Sequence, residues 1–328
     1  MQGFSIIICT HNPSGELLQR LLTAILKFED AIPHEVVLVD NNSNPVLTDR
    51  EQVKQFLSLH PQSRLLNENN PGLTPARITG IKAALYDWLI FFDDDNEPSA
   101  DYLSRVSLAI NQYIQVGMWG PGNVEVLYTD NTEDWLEGKK NLFQQRNEPV
   151  TKFDQQQLWQ PCYPFGTGMI IKKEVAAEYV KRVTEGRYTL SDRKGKSLAS
   201  GGDVQLVLTG INLGLYAGII AGLSLHHLID SSKSNLEYLR KQEYGTASAF
   251  IKAYNQVFNK EQIPVQRVTN FDILKKLYSL YRIYRSNNTS RDFQLLLASK
   301  LGELNAQVFA TDQKKPFLLR LYEKMIHA

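Results

Sequence analysis

Cysteine is nearly absent: Cys9 and Cys162 are the two in 328 residues. Two thiols build no disulfide framework, and Cys9, inside an apolar run, reads as a small buried hydrophobe, so a reducing compartment suits the chain. No apolar run approaches the roughly 20 residues of a membrane-spanning helix. The stretch Met1 to Cys9 has neither the basic head nor the cleavage site of a secretory leader. A cytoplasmic protein is expected. Internal repeats and low-complexity tracts are missing, and no Gly-x-Gly-x-x-Gly follows the first apolar run, which argues against a dehydrogenase. A sugar-phosphate nucleotidyltransferase would want a Gly-rich N-terminal loop with a basic residue for its triphosphate. Thr10-His11-Asn12-Pro13-Ser14 does not supply one.

With 43% hydrophobic residues the chain can hold one large α/β domain and a smaller one without covalent staples. The net charge of +1 hides an asymmetry, because residues 233–328 carry 16 Lys and Arg against 8 Asp and Glu. That excess leaves the first part acidic and implies two parts with different partners.

The first part alternates short apolar runs with longer helical patterns, the signature of a parallel sheet covered by helices. Strands are expected at Phe4–Cys9, Glu35–Val39, Arg64–Leu66 and Trp88–Phe92, and helices at Glu16–Phe28, Arg50–Leu59 and Pro75–Tyr86. Ligands of such sheets bind beyond the carboxyl ends of the strands. Polar clusters follow all four: Thr10-His11-Asn12, Asp40 to Ser43, Asn67 to Gly72, and Asp93-Asp94-Asp95. Periodicity fades from Asn123 to Pro164, a long surface excursion with Trp135 and Trp159 as candidate platforms. Residues 233–328 read as helical, with packing stripes at Leu236-Leu239, Ile273-Leu277-Leu280, Leu295 to Leu297 and Phe317 to Leu319.

Three adjacent carboxylates repel one another unless a cation sits among them, and a divalent ion completed by substrate phosphate is one answer. The other is a helix N-terminus, since Tyr102, Leu103, Val106 and Ile110 follow at helical spacing and would welcome acid at the first turn. The two readings are evenly matched on this segment alone.

Taken in order, the four clusters, the run Asn70-x-Gly72-x-x-x-Ala76-Arg77-x-x-Gly80, the turn Phe165-Gly166-Thr167-Gly168-Met169, the segment Leu198 to Leu206 with Asp203, and Leu225-His226-His227 resemble the family 2 glycosyltransferases of the GT-A fold. The resemblance spans roughly residues 4–240. It implies an α/β, Rossmann-like nucleotide-diphospho-sugar transferase domain over residues 1–235 and a smaller helical domain over 236–328. It also implies a metal-dependent enzyme that moves a hexose with inversion, in polysaccharide assembly, from a nucleotide diphosphate donor such as a UDP-sugar to a glycan or lipid-linked acceptor.

Carried over residue by residue, Thr10, His11 and Asn12 line the nucleotide site, and Asp40 accepts the uracil imide proton. An Asx turn over the following Asn residues is the competing role for Asp40, and the two are compatible. Asn70 and Gly72 let backbone approach the nucleotide, and Arg77 offers planar donors to base or phosphate oxygens. Asp93 and Asp94 face the ribose, Asp95 binds Mn²⁺ or Mg²⁺ in the manner of a DXD motif, and His227 completes the metal shell. Gly168 lies beside the donor sugar. Asp203 is the general base, with a helix N-cap as its ordinary alternative. The pattern is broken at Ile78, where Asn is usual, and at Gly202, where Glu is usual; Asp192 or Glu185 are candidates to make good the missing acid. A noncatalytic nucleotide-binding scaffold is the reading that Gly202 favours.

The basic end reads two ways. Lys275-Lys276-Leu277-Tyr278, Tyr281-Arg282, Tyr284-Arg285 and Lys314 to Lys324 interleave cations with aromatics. They are either the solvated face of a helical bundle or a peripheral contact with an anionic inner membrane surface or lipid-linked diphosphate. No reading motif points to nucleic acid.

Overall fold

The computed structural model describes residues 3–190, 192–193, 200–287 and 290–327. Leu198 and Ala199 of the Leu198 to Leu206 segment lie outside them. Four parallel strands, β1 (Phe4–Thr10), β2 (His34–Asp40), β3 (Ser63–Asn67) and β4 (Trp88–Phe92), alternate with helices α1 (Gly15–Ile25), α2 (Glu51–Leu59) and α3 (Leu73–Ala83). The β-branched and aromatic residues of β1, β2 and β4 are buried almost throughout, as befits strands covered on both faces. Phe4 stands level with both His34 and Trp88, so Thr10 ends beside Asp40 and two residues beyond the level of Phe92. The polar ends of three strands thus meet at one rim.

The chain continues as β5 (Asn96–Pro98), α4 (Tyr102–Gln112), β6 (Val116–Tyr128), the short pieces β7 (Arg146–Asn147) and β8 (Lys152–Asp154), β9 (Met169–Lys172), α5 (Lys173–Thr184), α6 (Gly202–Asn212) and β10 (Tyr216–Ile229). The sheet runs β3-β2-β1-β4-β9-β6-β10-β5, with β7 against β6 and β8 against β10. β9 is antiparallel to both β4 and β6, and β5 is antiparallel to β10. Together these make a mixed α/β GT-A fold.

Two expectations need correcting. The irregular stretch begins after Tyr128 and not at Asn123, because β6 runs 13 residues through Gly120-Pro121-Gly122. Pro and Gly inside a strand hide it from pattern reading; here Pro121 pairs with Ile220, and the β10 register then shifts between Ile220 and Ser224, a bulge in which Gly222 takes φ +72°. The triple Asp is likewise no helix N-terminus. β5 intervenes, and α4 begins at Tyr102.

The helical end comprises α7 (Leu236–Val257), α8 (Asn270–Asn287), α9 (Ser290–Ala310) and α10 (Phe317–His327). Asn235 caps α7 by accepting from the Tyr238 N–H at 2.9 Å. α7 fastens this region to the sheet part: Tyr254, Val257 and Phe258 join the core that holds Leu206 and Tyr188, and Ala249 and Ala253 pack with Leu190. α8, α9 and α10 close a further core with Tyr244 of α7, around Ile273, Leu301, Leu319 and Ile326. Phe317, expected in a packing stripe, is exposed.

Candidate active site

A cavity of about 420 Å³ opens at the rim where β1 and β4 end. That volume lies in the range of small-molecule sites. Thr10, His11, Gly72, Asp93, Asp94, Asp95 and His227 are on its wall, so residues distant in sequence converge there. Asn41, Thr167, Arg193, Lys233, Tyr238 and Gln242 line it too and were not among the expected site residues.

The loops that follow β1, β2 and β3 are stitched by side-chain amides. Asn41 donates to the carbonyls of Glu68 (2.8 Å) and Asn70 (2.7 Å) and accepts from the Gly72 N–H (2.8 Å). Gly72 takes φ +123°, a conformation that disfavours any side chain, and starts α3. His11 Nδ1 contacts the Asn41 carbonyl at 2.7 Å. Asn12 accepts from the Asn44 N–H at 2.7 Å, and Asn70 turns back on Glu68. Asp40 is buried, and both its oxygens accept backbone N–H groups, from Ser43 (2.9 Å) and Leu47 (2.8 Å). The structure therefore gives Asp40 a turn-closing role behind the wall, and Asn41 is the residue presented to the cavity.

The three acids differ in surroundings. Burial, with the Asp95 charge added, raises Asp93 above the usual carboxylate range. Asp94 accepts from the Thr10 hydroxyl, and burial carries it up to about 6 although Lys233 opposes. Burial works against the charge on Asp95 as well, but Lys233 and then His227 outweigh it and hold its carboxyl well below the usual range. Lys233 Nζ lies directly on one Asp95 oxygen, and His227 Nε2 is 3.5 Å from the other.

The pairing of β5 with β10 explains this meeting, since His227 stands opposite Asn96, next to the triad. Strand alternation turns His226 the other way, toward Glu97 (3.3 Å) and Glu125 (3.4 Å). His227 Nδ1 faces the Phe143 carbonyl at 2.8 Å. That nitrogen donates to the carbonyl, so Nε2 is the ring atom turned to Asp95. Burial works to lower the pKa of the ring, but the Asp95 charge outdoes both burial and the Lys233 charge and raises it; once Nε2 gives up its proton, its lone pair is free to bind an ion. Among the described residues no group of three His, Cys, Asp or Glu could cage a metal. Two protein ligands suit the class of site in which substrate phosphates complete the shell of Mg²⁺ or Mn²⁺. The donors fit an ion shared with a diphosphate.

Beside the cavity lies a second charged cluster. Arg77, buried on α3, reaches Asp192 at 2.9 Å and forms an ion pair with Asp203 on the first turn of α6. Burial pulls the guanidinium down, yet Asp203 and then Asp192 outweigh it and raise it above its ordinary value. Arg77 is thus turned away from the cavity wall. The α-carbon of Gly202 faces the Asp192 carboxylate: a Cβ there would come within 2.5 Å of its Oδ2 and 2.9 Å of Arg77 Nη1. The acid missing at 202 is therefore matched in space by one arriving from 192. Glu185 is elsewhere, bonded to Arg187 at 3.1 Å. Asp203 packs over the α-carbon of Gly166, whose neighbour Thr167 reaches the cavity. Gly168, at φ +68°, accepts the Tyr102 hydroxyl at 2.6 Å and stays behind the wall.

Trp135 lies under the Arg291 guanidinium, 5.1 Å from its ring centre, and Trp159 packs edge-on to Tyr163 at 5.6 Å. Neither lines the cavity.

The acids, the histidine and the bonded loops all lie at the carboxyl rim of an α/β sheet, where ligands of such sheets bind. Residues 5–179 match the model described as glycosyl transferase family 2, and the chain belongs to that family. The mannosyltransferase PcManGT from Pyrobaculum calidifontis, solved with GDP-Man and Mn²⁺, shares the fold with a TM-score of 0.57 at 13% identity, over 95% of this chain and 88% of that one. S. aureus TarS 1-349 superposes with a TM-score of 0.47 at 14% identity, over 95% of this chain and 91% of that one. No curated protein matches in sequence.

Proposed function

We propose that this glycosyltransferase is inverting and metal-dependent, and that it moves a hexose from a UDP-sugar to a glycan or lipid-linked glycan in polysaccharide assembly. The observation that carries the reading is the Asp95–His227 edge: a buried carboxylate and the Nε2 of an imidazole oriented by the Phe143 carbonyl, 3.5 Å apart, on the wall of a nucleotide-sized cavity. They would hold Mn²⁺ or Mg²⁺. When bound, the ion supplies charge neutralisation for the departing diphosphate.

His11, Asn41 and Gly72 form the nucleotide wall, and Thr10 fixes Asp94 within it. Asp203 takes the proton of the attacking hydroxyl, held in place by Arg77 and by the absence of a side chain at Gly166. Both cysteines are free, which suits a cytoplasmic enzyme.

The test is nucleotide release from UDP-, GDP- and dTDP-sugars with Mn²⁺, then with EDTA, in the presence of candidate glycan acceptors. Asp203→Asn should lower kcat by about 10²–10⁴ with KM little changed, the range for loss of a positioned base. Asp95→Asn should abolish the response to Mn²⁺. Full activity in Asp203→Asn, or activity indifferent to EDTA, would sink the mechanism.

A further inference from the structure

α8 and α10 pack against each other through Ile273, Leu319 and Ile326, yet each carries a second apolar stripe turned to solvent. On α8 it comprises Phe271, Leu274, Tyr278 and Tyr281, at spacings of three, four and three, which is one helix face. On α10 it is Phe317, Leu321 and Met325, at spacings of four. All seven are 44% to 66% exposed. Of the 18 large apolar side chains left exposed among the described residues, these seven fall on two helices of 18 and 11 residues. Single exposed apolar residues need no explanation, but a concentration does.

The stripes are interleaved with cations: Lys275, Lys276 and Arg282 on α8, Arg320 and Lys324 on α10. Acids that would neutralise them are few and engaged. Asp272 accepts from Thr269 at 2.7 Å, and Glu323 is taken by Lys315 at 2.5 Å and Tyr244 at 2.9 Å. Lys275 lies over the Phe271 ring, 4.4 Å from its centre, its stem covering apolar surface while its charge faces out. No helix of the described residues is long and apolar enough to cross a bilayer.

We propose that the α8–α10 face is a peripheral docking surface for an anionic bilayer. Its aromatic and aliphatic side chains enter the headgroup boundary, and its Lys and Arg side chains meet phosphate headgroups. A second copy of the chain is the poorer occupant, because a two-fold contact through this face would set cations against the same cations. The inference goes beyond the transferase reading and stands without it.

The test is sedimentation of the full chain with extruded vesicles of phosphatidylcholine alone, or of phosphatidylcholine and phosphatidylglycerol at about three to one. The expected result is binding to the anionic vesicles at 0.1 M NaCl and release at 0.5 M, as screening shortens the field. Lys276→Glu/Arg320→Glu should weaken partitioning about tenfold or more, since each basic side chain near a charged surface contributes severalfold. Leu274→Ser/Leu321→Ser should weaken it at any salt. Lys276 is half-buried and the other three are exposed, so the thermal melt and nucleotide-sugar turnover with a water-soluble acceptor stay as in the parent. No sedimentation with either vesicle, equal binding to both, or variants that bind like the parent would overturn the proposal. So would a salt-resistant dimer, seen by light scattering and dissolved by the serine pair, which would give the face to a second copy.

Discussion

Replacing Gly202 by alanine inserts a methyl group where the structure holds a carboxylate. The new Cβ would stand 2.5 Å from Asp192 Oδ2, 3.2 Å from its Cγ and 2.9 Å from Arg77 Nη1. Neither neighbour is the free end of an exposed side chain, because the Arg77 side chain is 5% exposed and that of Asp192 is 1% exposed. If the carboxylate yields without leaving Arg77, overpacking costs about 1–3 kcal/mol. Alanine returns up to about 1 kcal/mol of helix propensity, so the net loss is about 0–2 kcal/mol. If Asp192 is driven off, half of the compensation around a buried guanidinium goes with it. Breaking a buried ion pair costs about 3–5 kcal/mol, which leaves a net loss of about 2–4 kcal/mol. The tight surroundings on both sides favour the larger figure.

A double-mutant cycle separates this from ordinary strain. Asp192→Ala alone strands one end of Arg77. Once Asp192 is gone, Gly202→Ala should add little, because the nearest atoms it struck are absent and the Arg77 guanidinium, released at that end, can give way. The two changes should therefore fall short of additivity by about 2 kcal/mol, against about 0.5 kcal/mol or less for independent sites. Melts followed by circular dichroism read this as a gap of about 4–8 °C, at about 2–4 °C per kcal/mol for a domain of this size. Additive losses would refute the claim that Asp192 occupies the space over residue 202.

Other consequences concern the rim. Lys233→Met removes the ammonium that sits on Asp95 and should tighten Mn²⁺ binding in the absence of nucleotide by tenfold or more, since one unit charge at contact is worth several kcal/mol even when well screened; free Mn²⁺ measured by electron paramagnetic resonance checks it, and an unchanged Kd refutes it. Asn41→Ala removes three hydrogen bonds between the loops and should raise the donor KM more than it lowers kcat, with a stability loss of about 1–3 kcal/mol. His60 stacks on Phe56 at 5.6 Å and tilts against His34 at 5.0 Å, and burial, followed by the His34 charge, lowers its pKa below the ordinary histidine value. The unfolded chain then takes a proton that the folded chain refuses, so stability falls as pH drops through about 6.5 towards the folded value and levels off beneath it. His60→Asn should flatten that part of the stability curve.

Much of the rim was legible because its parts are short, local and adjacent to buried strands. β1, β2 and β4 are apolar runs, each followed at once by its polar residues, so both the strands and their cargo could be read in one pass. The residues that escaped notice reach the cavity by tertiary routes. Arg193, Tyr238 and Gln242 stand in segments whose sequence has the look of an ordinary loop or helix surface, and Lys233 is one cation in a basic region. Asn41 was present in a polar cluster, but only the closure of Asp40 onto Ser43 and Leu47 reveals which of the two faces the cavity. The long strands β6 and β10 were lost to Gly and Pro residues at a bulge, a feature that needs its partner strand to make sense.

Arg77 shows how far a residue can be right in pattern and different in direction. The spacing singled it out as a functional cation, and its guanidinium is indeed committed, but to Asp192 and Asp203 behind the wall. Burying a cation with two acids is a poor way to stabilise a fold, since well-packed apolar side chains of similar volume do as well or better. A protein that only held a nucleotide would gain nothing from placing one of those acids at 20% exposure beside the cavity, or from leaving residue 202 bare so that the other can enter. Orientation of the Asp203 carboxylate is what the arrangement does provide. The departure at Gly202 is on this argument a rearrangement of the acid around Arg77, and it weighs for a working base and against a retired one.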